Sequence, residues 1–241
     1  MKLKSLVMGT AVAVAAMSST AALAYQAGDI IVRAGAVTVA PDESSDGIAI
    51  PALNVPALAG TEAEVDSNTQ LGLTATYMLS SSLGIELLAA TPFSHDIAAN
   101  LNAANLGTIN AGSTKHLPPT VSLVWYPLGS EQTLSPYLGA GINYTVFFDE
   151  KVSGDLEAAT GGLAGLDGPL PMSLDLDDSW GVAAQMGVDF AINSNWHVNA
   201  SVRWIDIETE ATFSAGGATI ISVENVEIDP WVYQLNIGYK F

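Results

Sequence analysis

Few residues in this 241-residue chain can do chemistry. There are three histidines, His95, His116 and His197, and no cysteine. Without cysteine there is no disulfide framework and no thiolate metal site. His95 and His116 flank residues 97–115 on adjacent segments, which brings them toward one another near one rim. Two imidazoles with no evident third ligand do not make a zinc site. Neither histidine has a nucleophile motif around it. His197 stands alone near a short turn and reads as structural. No metal and no cofactor are expected, and the chain does not read as an enzyme.

The charges inside apolar runs say more. Glu86 sits in "GIELLAATPFSHD" and still belongs to a strand-like alternation. By the same period-two parity Arg33, Asp189, Arg203 and Lys240 face the same side as Glu86. A charge taken out of water must be paired, because an isolated ion is too costly to desolvate. These five residues are therefore expected to form a charge network inside a lumen. Arg33, Glu86, Asp189 and Lys240 are expected to meet in its lower part, with Arg203 higher. Such a network either plugs the lumen or only satisfies its own charges and fixes strand register.

The elements that must position them follow from composition. The chain is 49% hydrophobic and 13% charged, whereas about a quarter of a soluble domain is charged. After the N-terminal segment no run of 18 apolar residues exists, so a membrane helix is excluded. A membrane β-barrel resolves the conflict, because period-two alternation hides its apolar residues from hydropathy windows. Eight such segments recur: residues 29–40, 67–79 ("SNTQLGLTATYML"), 83 onward, 116–126, 134–148, 180–192, 196–208 and the C-terminal stretch ending at Phe241. One face of each is apolar. The other is mostly Gly, Ser, Thr, Asn and Gln, which fill a narrow lumen. Long gaps (41–66, 97–115, 149–179, 209–222) alternate with short ones (80–82, 127–133, 193–195). This asymmetry matches long extracellular loops and short periplasmic turns, with both termini periplasmic. The expected fold is all-β, an eight-stranded antiparallel transmembrane β-barrel of outer-membrane type.

Aromatics fall into two expected girdles. Tyr77, Trp125, Phe190, Trp196, Tyr239 and Phe241 lie at the periplasmic ends. Phe93, Tyr144, Phe147, Phe148, Trp180 and Trp204 lie toward the outer ends. At the start of the chain, Lys2 and Lys4 precede an apolar run from Leu6 to Met17 and the small-x-small site Ala22-Leu23-Ala24. Residues 1–24 read as a cleaved signal peptide and 25–241 as the barrel. The remaining chain keeps all 25 acids against Arg33, Lys115, Lys151, Arg203 and Lys240. That balance excludes nucleic acid as a partner.

The segments "QAGDIIVRAG", "TQLGLTATYML", "GIELLAATPFSHDI", "HLPPTVSLVWY", "PYLGAGINYTVFFD", "DSWGVAAQMGVDFAIN", "WHVNASVRWIDIET" and "DPWVYQLNIGYKF" resemble, in order, the outer membrane protein W (OmpW) family. The resemblance implies a monomeric barrel with a hydrophobic lumen open to the outside. It also implies a part in moving small hydrophobic molecules across the outer membrane of a Gram-negative cell. In the family a leucine matching Leu88 and an aromatic on the seventh strand narrow the channel floor. Leu88 fits; the seventh-strand position is Arg203 here, with Trp204 one residue away.

By parity Val37, Val39, Leu88, Ala90, Pro92 and Val124 form an apolar upper lumen that suits an apolar ligand. Pro92, Pro118 and Pro119 lie near the tops of strands three and four, and proline cannot donate to the ladder. They mark either a lateral seam or a plain turn into the loop. The apolar loops "IAIPALNVPALAG", "IAANLNAANLGTINAG" and "AATGGLAGLDGPLPMSL" suit a ligand funnel. Acids near the outer rim read as solvated charge. The expected partners are small hydrophobic molecules, outer-membrane lipid and lipopolysaccharide, and the barrel assembly machinery that reads the terminal Phe241. The alternatives are a structural barrel without a passage and, least favoured, a lipid-modifying enzyme.

Overall fold

Lipid offers no partner to a backbone N–H or C=O, so strands can cross a membrane only as a closed ladder. The computed structural model describes residues 23–102 and 107–241. Its first half contains β1 (Ile30–Ala40), β2 (Ile48–Ile50), β3 (Val55–Leu58), β4 (Glu62–Val65), β5 (Asn68–Met78), β6 (Leu83–Ala90), β7 (Phe93–Asn100) and β8 (Thr108–Leu117). There follow β9 (Thr120–Trp125), β10 (Leu134–Val152), helix α1 (Gly154–Leu163), β11 (Ser173–Leu176) and β12 (Ser179–Ala191). The chain ends with β13 (Trp196–Ile205), β14 (Glu208–Ala215), β15 (Ala218–Glu227) and β16 (Trp231–Lys240).

Eight of these strands close a ring in the order β12, β13, β16, β1, β5, β6, β9, β10, and β10 pairs back onto β12. All these pairings are antiparallel. The alternation explains why. Leu71, Leu73, Leu123, Leu138, Val182, Met186, Leu235 and Ile237 are exposed on the outside. Thr74, Thr76, Ser122, Gln185, Asn199 and Asn236 are buried on the inside. Glycine at position 35 is required by contact, since a Cβ there would strike the Leu235 carbonyl and Asn236 on the next strand.

The long gaps differ from the expectation of loops. Two strand layers extend the barrel at that end: β4, β7 and β8 continue beside the upper part of β10, and β11, β14, β15, β2 and β3 form a five-stranded sheet. Their inner faces are apolar, as in Leu174, Phe213, Ile221 and Val223, which hides the alternation from a simple polar-apolar count. The segments starting at 83 and at 116 are also not single strands. They break at Thr91-Pro92 and at Pro118-Pro119, where proline withholds the N–H that a continuous ladder needs. Phe93 and Phe147 are a further correction: they are buried inside the barrel rather than placed in an outer girdle. Trp125, Trp180, Trp196 and Tyr77 do face outward. Lys2, Lys4, the run Leu6 to Met17 and Ala22 lie outside the described residues.

Outward leucines at mid-height should meet lipid. Leu235→Arg is expected to cost about 2–4 kcal/mol in folding into vesicles, and Leu128→Arg, in a short turn, about 0–1 kcal/mol. Urea unfolding midpoints in lipid vesicles check this; equal costs at both positions would contradict the membrane placement.

Candidate functional site

Arg33 points inward from β1 and is almost fully buried. Its Nη1 donates to Glu86 Oε2 at 3.0 Å and to Thr76 Oγ1 at 3.0 Å. Its Nη2 donates to Asp189 Oδ2 at 2.8 Å and to the Tyr126 hydroxyl at 2.8 Å. Glu86 uses its other oxygen for Arg203, whose Nη2 lies 2.8 Å away. Gln185 donates to the same oxygen at 2.9 Å. Asp189 accepts from Asn199 Nδ2 at 2.8 Å and from the hydroxyls of Tyr25 and Tyr126 at 2.8 and 2.9 Å. Two cations and two anions thus cancel inside the lower lumen. Every carboxylate oxygen has at least one charged or polar donor, which is what a buried ion requires.

Sequence parity placed Arg33, Glu86, Asp189 and Arg203 on the inner face, and the structure brings these four together. Arg203, expected higher in the lumen, is in direct contact with Glu86. Lys240 does not join them. Its Nζ donates to the carbonyls of Leu23 and Ala24 and lies 3.9 Å from Asp29, because a long stem near a strand end carries its ammonium to the rim. His197 is not isolated: its Nε2 is 3.2 Å from Arg33 Nε, and Gly238 leaves the space for its ring. Tyr126, Tyr137, Thr76, Gln185 and Asn199 belong to the network or its margin and share the inward parity. Tyr25 precedes the first strand, so no alternation could have flagged it.

The apolar residues divide differently from expectation. Val37 and Val39 are buried in a waist above the network with Phe93, Phe147, Ile205 and Ile207. Ala90 packs against that waist, and Leu88 is buried on β6 between Thr74 and Thr120. Val124 lies instead with Leu23, Tyr25, Ile31 and Met78, in the apolar floor nearest the short turns. Pro92 is exposed, since the break after Ala90 resets the parity. Trp204 pairs beside the outward Trp231 and leaves the inner face to Arg203.

Above the waist two cavities adjoin. The larger, about 410 Å³, is lined by aliphatic side chains such as Ile48, Leu58, Leu101, Leu156, Leu174 and Ile221, with Phe213. The smaller, about 40 Å³, shares Ala63, Ile97 and Ala211 with it and reaches His95, His116 and Phe147. His95 and His116 meet here, Nε2 to Nε2 at 3.0 Å. Burial keeps both neutral: the His95 pKa is lowered, and that of His116 is pushed down to about 3. On the outer surface Lys115 lies 2.6 Å from Asp149 and lowers its pKa.

A charge-balanced lower lumen thus lies beneath an apolar outer cavity. The OmpW family model matches residues 26–241. The chain belongs to the OmpW family. It is 46% identical to outer membrane protein W of Vibrio cholerae over 240 residues, covering 99% of this chain and 100% of that one. It is 42% identical to outer membrane protein W of Escherichia coli over 231 residues, 96% and 97% of the two chains. The crystal structure of outer membrane protein OprG from Pseudomonas aeruginosa superposes with a TM-score of 0.78 at 40% identity, over 91% of this chain and 99% of that one. This OmpW-family chain is an outer-membrane β-barrel, and the side with long extensions faces outward from the cell.

Glu86→Ala leaves Arg203 without a carboxylate and Arg33 with only Asp189. Removing one partner from a buried charge cluster is expected to cost about 3–5 kcal/mol, read as a lower urea midpoint; an unchanged midpoint would show that the cluster is solvated. A second expectation concerns pH. An imidazole in the unfolded chain titrates near 6.5, and His116 in the folded chain near 3. Between those values the unfolded state binds the extra proton, so stability of the β7–β8 extension falls as pH drops from about 6.5 toward 3. Hydrogen exchange of β7 and β8 amides, corrected for intrinsic rates, should quicken across that window, and His116→Phe should flatten the trend.

Proposed function

We propose that this protein carries small hydrophobic molecules from the cell exterior into the outer membrane. The observation that carries the proposal is the apolar outer cavity of about 410 Å³ lying above a lumen closed by Arg33, Glu86, Asp189 and Arg203. An apolar solute gains by leaving water for such a cavity and gains nothing by entering a charged floor. In this reading the network is the plug of the periplasmic end, and Val37, Val39, Leu88 and Ala90 line the step where the passage turns aside.

The way out is lateral. Pairing of β6 with β9 stops at Leu88 and Thr120, and pairing of β7 with β8 begins at Phe93 and His116. Between them lie Pro92 on one side and Pro118 and Pro119 on the other. Missing N–H donors leave this seam with less to break than any continuous ladder. Lipid and lipopolysaccharide would meet the emerging solute there.

A second reading, a structural barrel without passage, is favoured by one observation: Phe93, Phe147, Ile205 and Ile207 fill the waist between cavity and seam. Uptake separates the two. Cells with the protein should accumulate apolar compounds such as naphthalene faster than cells without it, and no difference for any compound in a panel would sink transport. Pro118→Ala/Pro119→Ala should slow that uptake several-fold while the barrel still folds, because the seam regains ladder donors; full uptake by a well-folded variant would refute the lateral route.

A further inference from the structure

The side-chain donors on the wall of the outer passage are already spent inside the protein. Among the described residues, Thr160 carries the one polar side chain lining the chamber of about 410 Å³. Its hydroxyl donates to the Leu156 carbonyl at 2.8 Å. The chamber of about 40 Å³ adds Thr114, Thr209, His95 and His116. The two threonine hydroxyls donate to the carbonyls of Lys115 and Asp177, at 3.3 and 2.7 Å. His95 Nδ1 faces the Asp66 carbonyl, which only accepts, so that proton is used there. His95 Nε2 is then bare and accepts from His116 Nε2 at 3.0 Å.

Strand edges are the other source of donors, because an edge strand leaves backbone N–H groups unpaired. Ile48, Ala63 and Val65 lie on short strands and line the chambers. Each of their N–H groups is covered by a side chain from a connecting segment. Ile48 donates to Thr61 Oγ1 at 2.8 Å, Ala63 to Ser45 Oγ at 3.0 Å and Val65 to Glu43 Oε1 at 3.3 Å. The cavity is therefore apolar in a stricter sense than its leucines alone would make it: its wall withholds the donors that an oxygen-bearing solute needs.

We propose that the passage admits bare hydrocarbons and turns away the same skeletons once they carry a carbonyl or carboxyl oxygen. The inference rests on the transport reading above and narrows the substrate class of that same cavity. A carbonyl oxygen accepts hydrogen bonds from water, and in this passage it gives them up without replacement. A hydrocarbon has none to lose and gains by leaving water. A ketone can rest at the mouth with its oxygen still wet. It must shed that water to reach the narrow end at His116, which pairs with Phe93 at the top of the proline seam. A carboxylate is also repelled by a chain of net charge −18. A skeleton oxidised to a ketone or an acid inside the cell thus has no return by this route.

The test measures uptake of tetralin, 1-tetralone and benzene by cells with and without the full chain. Tetralin and 1-tetralone share one skeleton and differ by a single carbonyl. Benzene is a hydrocarbon about as lipophilic as the ketone. The increase in uptake rate that the protein brings should be about tenfold greater for tetralin than for 1-tetralone, which is the effect of one unmatched acceptor. Benzene should behave as tetralin does. Equal increases for tetralin and 1-tetralone overturn the proposal and leave transport standing. An increase for benzene as small as that for the ketone also overturns it, because lipophilicity and not the missing donor then decides. If none of the three compounds gains, the transport reading falls and the proposal with it.

Discussion

The lower half of this barrel depends on Glu86 standing between two guanidinium groups. Each of the four ions would cost several kcal/mol if buried alone. Together they are neutral, and each charge is shared across the lumen rather than along one strand. Arg33 comes from β1, Glu86 from β6, Asp189 from β12 and Arg203 from β13. β1 and β6 are not neighbours in the ring, because β5 separates them. The network is therefore a cross-brace that ties walls the backbone ladder does not join. It also explains why Lys240 stays out: a fifth charge would leave the cluster with an uncompensated cation.

Above the cross-braced floor, the ladder of the wall is interrupted between β6–β9 and β7–β8. Closed ladders are the only spanning sheets lipid permits, so an interruption is tolerated only where other partners exist. The break between the Leu88–Thr120 and Phe93–His116 pairs lies at the level of Tyr144, whose N–H donates to the Pro119 carbonyl. The Tyr144 and Trp180 rings lie tilted against each other with centroids 4.5 Å apart, and Trp and Tyr are enriched at the membrane–water boundary. There, Asn143 and Thr120 bond the carbonyls of Pro119 and Pro118. The prolines thus interrupt the ladder at a height where the Tyr144 N–H and the side chains of Thr120 and Asn143 replace its hydrogen bonds.

The eight-strand ring was legible because alternation inside a membrane is nearly complete: lipid punishes every misplaced polar residue on the outer face, and the small and polar residues collect on the inner one. Arg33, Glu86 and Asp189 followed from parity. The contact of Arg203 with Glu86 did not, since a long side chain reaches along the lumen from its own strand position. Parity also fails at a break, which is why Pro92 and Phe93 exchanged sides. The outer extensions were hidden for a different reason. Outside the membrane their outer faces are wet and their inner faces line a cavity. Short strands such as Ile48–Ile50 and Val55–Leu58 then read as apolar loops.

That change of solvent is what sorts the charges. In β14 the exposed Glu208 and Glu210 alternate with the inward Thr209, Ala211 and Phe213. On β11 and just beyond it, exposed Asp175 and Asp177 alternate with Leu174 and Leu176. The apolar chamber is thereby wrapped in carboxylates that point away from it. Their field reaches about 8 Å into physiological saline, enough to lower the local concentration of anions at the mouth and to leave neutral molecules unaffected. The charge stays on the wet outer faces, and the wall of the chamber carries none. The histidine pair stands where the wall ends, and burial keeps it neutral although the Asp66 carboxylate lies 3.6 Å from His95.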